Sequence, residues 1–146
     1  GIDAIICNRL WFASENARLS FSRIKRFLRK WKYKGMKVYD YGDVIPHLLR
    51  EEESYEQFYP VALPNWDHSP RAGKNSVILV NSTPELFEKH VSDILSKIEN
   101  KKPEHQIVFV KSWNEWAEGN YLEPDLRFGM QYLEALKRAL SQTPVK

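Results

Sequence analysis

The stretch TPELFEKHVSDILSKIENKKPEHQIVFV, residues 83–110, contains the signals that indicate the fold class. Thr83 is suited to cap a helix that begins at Pro84, because its hydroxyl can accept a hydrogen bond from a free backbone N–H group. Apolar residues then recur at helical spacing, which predicts an amphipathic helix. These residues are Leu86, Phe87, Val91, Ile94, Leu95 and Ile98. The polar segment NKKPEH ends this helix, and the apolar run Gln106–Val110 predicts a buried strand.

The rest of the chain shows the same alternation of strand-like and helix-like segments. Short apolar runs predict strands at Ala4–Cys7, Phe58–Leu63 and Ser76–Val80, and Lys37–Tyr41 is either another short strand or an extended turn before Gly42. Helical spacing predicts helices over residues 21–31, from a cap at Asp43 through Leu49, and over about residues 127–141. The last of these helices is expected to bury Tyr132, Leu133, Leu136 and Leu140. The segment NRLWFASENA, residues 8–17, is predicted to be a loop.

Alternating strands and helices are typical of an α/β fold with a parallel sheet. A complete (β/α)8 barrel needs roughly 250 residues, whereas this chain has 146. We therefore expect residues 1–146 to form a single partial domain, either an open α/β layer or the C-terminal half of a TIM-like (β/α)8 barrel. No glycine-rich phosphate loop follows a predicted strand, which disfavours Rossmann and P-loop folds.

Composition excludes several classes of protein and site. Hydrophobic residues make up 42% of the chain, and no apolar run is long enough to span a bilayer. Cys7 is the single cysteine, which excludes an intrachain disulfide and a cysteine-based zinc site, and its apolar neighbours predict a buried thiol. The four histidines are scattered without metal-binding spacing. We expect neither a metal ion nor another cofactor.

Residues 18–37 form a basic segment, with nine lysines and arginines and no acidic residue, although the net charge is only +3. A basic amphipathic helix can bind an anionic membrane surface or a phosphate backbone. It can equally expose its charges to water while their stems cover apolar residues. No nucleic-acid-binding motif accompanies the segment, so we expect no nucleic-acid partner. We expect a cytoplasmic location, with peripheral attachment to the inner membrane as an alternative.

The segment KSWNEWAEGNYLEPD, residues 111–125, gathers carboxylates and indoles after a predicted strand. If Glu115 and Glu118 lie on one helical turn, their Cβ atoms are about 5–6 Å apart, which is compatible with the carboxyl pair of a retaining glycosidase. Repulsion between two such carboxylates favours one acid and one base. An E-x-x-E pair is also common on exposed helical turns, so the spacing alone leaves both interpretations open. The indoles of Trp113 and Trp116 favour a sugar site, and Gly119 suits a left-handed turn.

The segment WDHSPR, residues 66–71, follows the strand predicted at Phe58–Leu63. Functional residues of (β/α) barrels lie at the carboxyl ends of strands. Trp66, Asp67 and Arg71 are therefore candidates to line the same cleft as the two glutamates. In the alternative interpretation Asp67 and Arg71 pair structurally, and Trp66 belongs to the core.

Five segments, in this order, resemble the C-terminal half of the WbsX-type proteins, a family related to glycoside hydrolase family 99. They are YDY (39–41), LPNWDHSPRAGK (63–74), NSTPELFEKH (81–90), VFVKSWNEWAEGNYLEPD (108–125) and GMQYLEALKRAL (129–140). The resemblance covers nearly the whole chain from about Tyr39 onward, and its N-E-W-x-E-G-x-x-x-E-P core is long enough to be specific.

The resemblance implies a (β/α)8 barrel about twice as long as this chain, and a glycosyltransferase of lipopolysaccharide or other surface-polysaccharide biosynthesis. By the mechanism of the related retaining hydrolases, Glu115 takes the proton from the sugar 2-hydroxyl. Glu118 protonates the departing oxygen and later acts as base. Those hydrolases carry histidine where this chain has Ala117, a residue typical of the WbsX side. The difference leaves open whether the chemistry, the substrate or both have changed.

We therefore predict a glycan or sugar-linked substrate around the catalytic residues Glu115 and Glu118. The predicted substrate-binding residues are Tyr41, Trp66, Asp67, Arg71, Trp113, Asn114, Trp116 and Glu123. The alternative is a non-catalytic glycan-binding or assembly module with the same aromatic cleft. Half a barrel would leave strand edges unpaired and expose part of its apolar interior. We therefore expect the chain to self-associate, to pair with the missing N-terminal half, or to swap elements.

Overall fold

The computed structural model describes residues 1–19 and 36–142. The strands are β1 (Ile5–Cys7), β2 (Lys37–Asp40), β3 (Phe58–Ala62), β4 (Val77–Val80), β5 (Phe109–Val110), β6 (Asn114–Glu115) and β7 (Asn120–Tyr121). The helices are α1 (Leu10–Leu19), α2 (Tyr41–Val44), α3 (Ser69–Ala72), α4 (Pro84–Ile98) and α5 (Gln131–Gln142). Single 3-10 turns span Ile45–His47, Glu51–Ser54, Gly73–Asn75, Pro103–His105 and Trp116–Glu118.

The five strands that alternate with helices all pair in parallel, but they form two separate sheets. Strands β1, β3 and β5 form one sheet in that order, with Ile5 opposite Phe58 and Val61 opposite Phe109. Strands β2 and β4 form a second parallel pair, and β6 and β7 form an antiparallel hairpin. The predicted α/β class with parallel strands is confirmed. The strands in residues 1–19 and 36–142 do not close into a barrel, so the half-barrel stays a prediction.

Helix α4 has the cap and the apolar face that its sequence predicts. The Thr83 hydroxyl oxygen accepts a hydrogen bond from the Leu86 N–H group at 3.3 Å, and Pro84 is the first helical residue. Phe87 is fully buried and lies against Tyr132 of α5, with ring centroids 5.7 Å apart. Ala62 of β3 belongs to the same core cluster. The α4–α5 pair therefore covers the sheet through β3.

A second core cluster forms around α1, β2 and α2. The prediction of a loop over residues 8–17 is wrong, because α1 occupies most of this segment. Leu10, Ala13 and Ala17 are buried, and their helical spacing gives α1 a narrow face of mostly small residues. Such a face can pack closely against β2 and α2, but it is a weak pattern in the sequence.

Two further element boundaries differ from prediction for local reasons. Asp40, rather than Asp43, caps α2, since its side chain accepts a hydrogen bond from the Gly42 N–H group at 3.1 Å. The last helix begins at Gln131 instead of about residue 127. The Asp125 carboxylate accepts hydrogen bonds from the Arg127 and Phe128 N–H groups, so residues 125–128 form a turn before the helix.

Strand β5 is shorter and more exposed than the predicted buried strand at Gln106–Val110. Only Phe109 and Val110 pair, and their exposed fractions are 41% and 37%. Val110 pairs with Ala62 of β3, and β5 is the last strand of its sheet. Leu140 of α5 is exposed as well, contrary to prediction, whereas Tyr132 is buried. The apolar residues of β5 therefore form an uncovered sheet edge.

Some predictions fall outside the described residues. The helix predicted over residues 21–31 lies there, and so does most of the basic segment 18–37. In the residues that are described, no helix is both long and apolar enough to cross a membrane. The Cys7 thiol is buried as predicted, and burial is the main cause of its raised pKa.

Candidate functional site

The hairpin of β6 and β7 holds the central part of the motif predicted to be catalytic. Asn114 pairs with Tyr121 across the hairpin, and a 3-10 turn over Trp116–Glu118 joins the two strands. Gly119 has φ of 54° and ψ of 31°, the left-handed conformation that the sequence predicts for it. A side chain at this position would meet Asp67, because a Cβ atom would lie 2.9 Å from the Asp67 Cβ. The hairpin therefore packs directly on the loop after β3.

Glu118 is buried in a cluster of charged and polar groups. Its side-chain Oε1 lies 2.7 Å from Arg71 Nη1 and 3.7 Å from His68 Nε2, and the residue is 8% exposed. Its backbone carbonyl accepts a hydrogen bond from the Asp67 N–H group at 2.7 Å. The other carboxylate oxygen, Oε2, has no hydrogen-bond partner among the described residues. Glu118 is thus held through one oxygen of its carboxylate.

Glu115 lies at the other end of the same turn. It is half-buried and precedes the 3-10 turn, with its backbone paired to Asn120. No hydrogen bond or ion pair engages its carboxylate within the part of the chain that the structure describes. Glu115 therefore precedes a 3-10 turn and Glu118 is its last residue, so the two glutamates do not share an α-helical turn. Their action as a catalytic pair stays a prediction.

The indoles of Trp113 and Trp116 are exposed, although backbone hydrogen bonds pair the two strands of the hairpin. Trp113 and Trp116 are 55% and 47% exposed. Trp116 stacks on Tyr121 with ring centroids 3.7 Å apart and planes inclined by 15°. Its indole N–H group donates a hydrogen bond to Glu123 Oε2 at 2.7 Å. Asn114 is exposed beside them.

Tyr41 and Trp66 lie in the core cluster around α1 and β2. The Tyr41 hydroxyl donates to the Leu63 carbonyl at 2.6 Å, and burial raises the pKa of Tyr41 well above its usual value. The Lys111 ammonium lies 4.7 Å from the centroid of the Trp66 ring. This burial agrees with the core interpretation of Trp66, and sugar contacts of Tyr41 and Trp66 stay predictions.

The loop after β3 supplies partners for the hairpin. Arg71 pairs with Glu118 and not with Asp67, whose Oδ1 accepts a hydrogen bond from the Ser69 N–H group at 2.9 Å. His68 was missed by sequence reasoning, although it lies within the WDHSPR segment. Its position next to Glu118 depends on how the loop and the hairpin meet. No group of three or more His, Cys, Asp or Glu side chains that could hold a metal ion occurs in residues 1–19 and 36–142.

Residues of both segments line a cavity of about 630 Å³. Residues predicted for the site, Asp67 and Trp116, contribute to its wall. Sequence reasoning did not assign the other polar and aromatic residues of the wall to the site, and they come from five separate segments. They include Asn65, Asn81, Tyr121, Asp125 and Arg127. Asp125, in the Glu-Pro-Asp sequence, was the one sequence feature that could have pointed to these wall residues.

Comparison with known proteins supplies the family. A family model described as "Glycosyltransferase WbsX" matches residues 5–136, which is most of the chain. This chain belongs to the WbsX glycosyltransferase family. Among curated proteins, this WbsX-family chain is similar to two that are both called "Uncharacterized protein WxcX", from Xanthomonas campestris pv. campestris.

The WxcX protein of strain B100 is 31% identical over 108 residues, which are 73% of this chain and 16% of the relative. That of strain ATCC 33913 is 36% identical over 110 residues, which are 70% of this chain and 16% of the relative. The chain therefore matches about one sixth of the length of these relatives. No solved structure matches this chain.

Proposed function

We propose that this chain forms part of the sugar-processing site of a glycosyltransferase. The enzyme would take part in the biosynthesis of a surface polysaccharide such as lipopolysaccharide. The WbsX family match supports glycosyl transfer and a role in polysaccharide synthesis. One observation carries the assignment of the site: the buried Glu118 carboxylate is fixed by Arg71 through Oε1, whereas Oε2 has no partner among the described residues. A carboxylate that is positioned by one arginine and keeps its second oxygen unpaired can serve as a general acid or base.

The two glutamates have different surroundings, which suits different roles. Glu118 is held by Arg71, and His68 lies 3.7 Å from the same carboxylate oxygen, so Oε2 can face a substrate oxygen. Glu115 is half-buried and is not engaged by any described side chain, so its carboxylate can reorient. In the proposed reaction Glu115 accepts the proton of the sugar 2-hydroxyl as that oxygen bonds to the anomeric carbon, and Glu118 protonates the departing oxygen as its bond to the same carbon breaks. In the second half Glu118 accepts the proton of the attacking acceptor hydroxyl, the bond between the 2-oxygen and the anomeric carbon breaks, and Glu115 returns its proton to the 2-oxygen.

The proposal is tested by replacing each glutamate in the complete protein. Glu115→Gln and Glu118→Gln should each lower sugar transfer from nucleotide-sugar donors by about 10²–10⁴-fold, the usual contribution of a positioned acid or base. Glu104→Gln is the matched control, because Glu104 is exposed in the 3-10 turn Pro103–His105, outside the hairpin. Circular dichroism shows whether each variant keeps its fold. Wild-type turnover in either site variant would refute the assignment of that glutamate.

A non-catalytic glycan-binding module is the second candidate function. The exposed Trp113 and Trp116 favour it, since indole faces bind sugars without any proton transfer. Under this alternative, Ala substitutions of the two tryptophans weaken glycan binding and the two Gln substitutions change nothing. Parallel binding and turnover measurements on these variants therefore separate the two functions. Hydrolysis instead of transfer is detected in the same assay by release of free sugar.

We further infer that other parts of the same protein cover the open edge of the β1–β3–β5 sheet. Phe109 and Val110 are exposed on β5 at this edge, Ile6 is exposed on β1 at the opposite edge, and such apolar strands normally pair or pack. The curated relatives are about six times as long as the matched segment, and their further polypeptide supports this inference. Sedimentation should show the isolated chain associating and the complete protein monodisperse. A stable monomer of the isolated chain would contradict this inference.

Membrane-surface binding by residues 18–37 also stays a prediction. Flotation of the protein with liposomes, with and without anionic lipid, tests it. Binding that requires anionic lipid would support a peripheral membrane location. Equal recovery with neutral and anionic liposomes would count against it.

A further inference from the structure

The 630 Å³ cavity adjoins the two glutamates without including them. Trp116, which lies between Glu115 and Glu118 in the sequence, is in its wall. So is Asp67, whose N–H group donates to the Glu118 carbonyl at 2.7 Å. The volume falls in the range of about 300–1,000 Å³ that is usual for small-molecule sites. The cavity therefore lies next to the proposed catalytic residues, which are not part of its lining.

An aromatic platform forms one part of the cavity wall. Trp116 and Tyr121 both line the cavity and stack on each other with centroids 3.7 Å apart. The Trp116 N–H group is held by Glu123, and the Tyr121 hydroxyl donates to Asp125 Oδ2 at 3.2 Å. Both rings are thus fixed at their polar ends. A rigid, partly exposed indole supported from behind suits the apolar face of a pyranose ring.

Hydrogen-bond acceptors dominate the polar part of the wall. Asn65 Oδ1 is buried and has no hydrogen-bond partner among the described residues. The Asp67 carboxylate accepts from Ser69 through Oδ1 and has a second oxygen. Asp125 adds another carboxylate, whose Oδ1 already accepts from two backbone N–H groups. A ligand that satisfies such groups must donate hydrogen bonds, as sugar hydroxyl groups do.

The charge of the wall disfavours phosphate. Asp67 and Asp125 are carboxylates, and the cation in the described wall is Arg127, whose guanidinium lies 4.6 Å from the Phe128 ring centroid. A nucleoside diphosphate in this cavity would place its negative charges near two carboxylates. A neutral sugar meets no such repulsion.

We propose that this cavity is a subsite for a neutral pyranose unit of the acceptor glycan, which stacks on Trp116 and donates hydroxyl hydrogen bonds to Asn65 and Asp67. The nucleotide-sugar donor binds elsewhere. The proposal rests on the proposed function, because it calls the bound sugar an acceptor. Binding of the sugar and turnover by the glutamates are nevertheless separate measurements.

The test is saturation-transfer NMR with titration of the complete protein, using methyl glucoside, methyl galactoside and methyl mannoside as probes. Trp116→Ala should weaken binding of the preferred methyl glycoside at least about tenfold. Trp11→Ala is the matched control: Trp11 is similarly exposed, but it lies in α1, outside the predicted site, and does not line the cavity. Its binding constant should stay within about twofold of the wild-type value.

A second variant addresses the polar wall. Asn65→Leu removes the unpaired acceptor with little change of volume and should also weaken the methyl glycoside at least about fivefold. UDP and GDP are added as competitors and should not displace it. The subsite is refuted if none of the three glycosides binds, if Trp116→Ala and Asn65→Leu bind as the wild type does, or if a nucleoside diphosphate competes.

The two proposals fail in different ways. Glu115→Gln and Glu118→Gln should bind the methyl glycoside as the wild type does and lose turnover. If they also turn over normally, the catalytic proposal is wrong, and the subsite stands as a glycan-binding cavity. If turnover is lost but Trp116→Ala binds normally, the subsite is wrong and the catalytic proposal stands.

Discussion

The α4–α5 helix pair and the β6–β7 hairpin are both rich in aromatic residues, but they use them in opposite ways. In the helix pair, Phe87 and Tyr132 are buried against each other. In the hairpin, Trp113 and Trp116 are about half exposed. Hydrogen bonds position the hairpin instead, among them one from the Leu122 N–H group to the Trp113 carbonyl at 2.8 Å.

This difference separates aromatic residues that stabilise the fold from aromatic residues that are presented to solvent. Burial of a large aromatic side chain contributes several kcal/mol to stability, whereas a half-exposed indole contributes much less. The Ser112 N–H group donates to Asn120 Oδ1 at 2.9 Å, so the hairpin is ordered through polar groups. An ordered segment that leaves its indoles exposed is typical of a binding surface.

The largest expected effect contrasts one residue from each region. Phe87→Ala should lower the free energy of unfolding by about 3–5 kcal/mol, because it leaves a cavity between α4 and α5. Trp113→Ala should lower it by less than about 1 kcal/mol, because the side chain is largely exposed. Urea denaturation of both variants measures the difference. Equal losses would mean that the hairpin indole is structural and would remove the distinction.

His90 gives the stability of the helix pair a dependence on pH. His90 is buried in α4, and burial is the main cause that lowers its pKa to about 4. Asp93 and a backbone hydrogen bond to Val61 oppose this shift, and Lys89 adds to it. Between pH 6.5 and pH 4 the unfolded chain therefore binds a proton that the folded chain does not. Stability should fall by up to about 3 kcal/mol as the pH drops through this window.

The pH dependence is measured by urea denaturation at pH 7.5, 5.5 and 4.5. His90→Leu should flatten the decline between pH 6.5 and pH 4, whatever its stability at pH 7.5. His47→Gln is the control, because His47 is half-buried in a 3-10 turn outside α4. An unchanged pH slope in His90→Leu would show that another group causes the decline.

The smallest expected effect concerns the contact between the hairpin and the loop after β3. Gly119→Ala should cost about 1–3 kcal/mol, because it forces a positive φ and brings a Cβ atom against Asp67. Gly129→Ala also has a positive φ but meets no atom within 4 Å, so it should cost less. The difference between the two variants in the free energy of thermal unfolding measures the cost of the contact between the new Cβ atom and Asp67. Equal costs would show that Asp67 moves aside easily.

Part of the fold could be predicted from local patterns in the sequence. The Thr83 cap, the apolar face of α4 and the strand at β3 depend on residues within one short window. The polar boundary before α5 and the small-residue face of α1 were missed. In the first case the Asp125 side chain forms a turn that competes with helix. In the second case, alanines give a weak apolar signal even where they pack closely.

The candidate site could likewise be predicted only in part from the sequence. The sequence contains the two glutamates, the indoles and the family motif, but it gives no sign that Arg71 and His68 lie at Glu118. It likewise cannot show that Asn65, Tyr121 and Asp125 line one cavity. These residues come from the loop after β3 and from the segment between β6 and α5.

The sequence by itself determined the α/β class, helix α4 and membership of the WbsX family, because each depends on spacing or motifs along the chain. Only the tertiary structure decided that β5 is an exposed edge and that Arg71 fixes Glu118, 47 residues away. The physical reason is that helical periodicity and capping act between near neighbours. Ion pairs, cavities and sheet edges depend on how distant segments pack, and a single sequence does not show that packing.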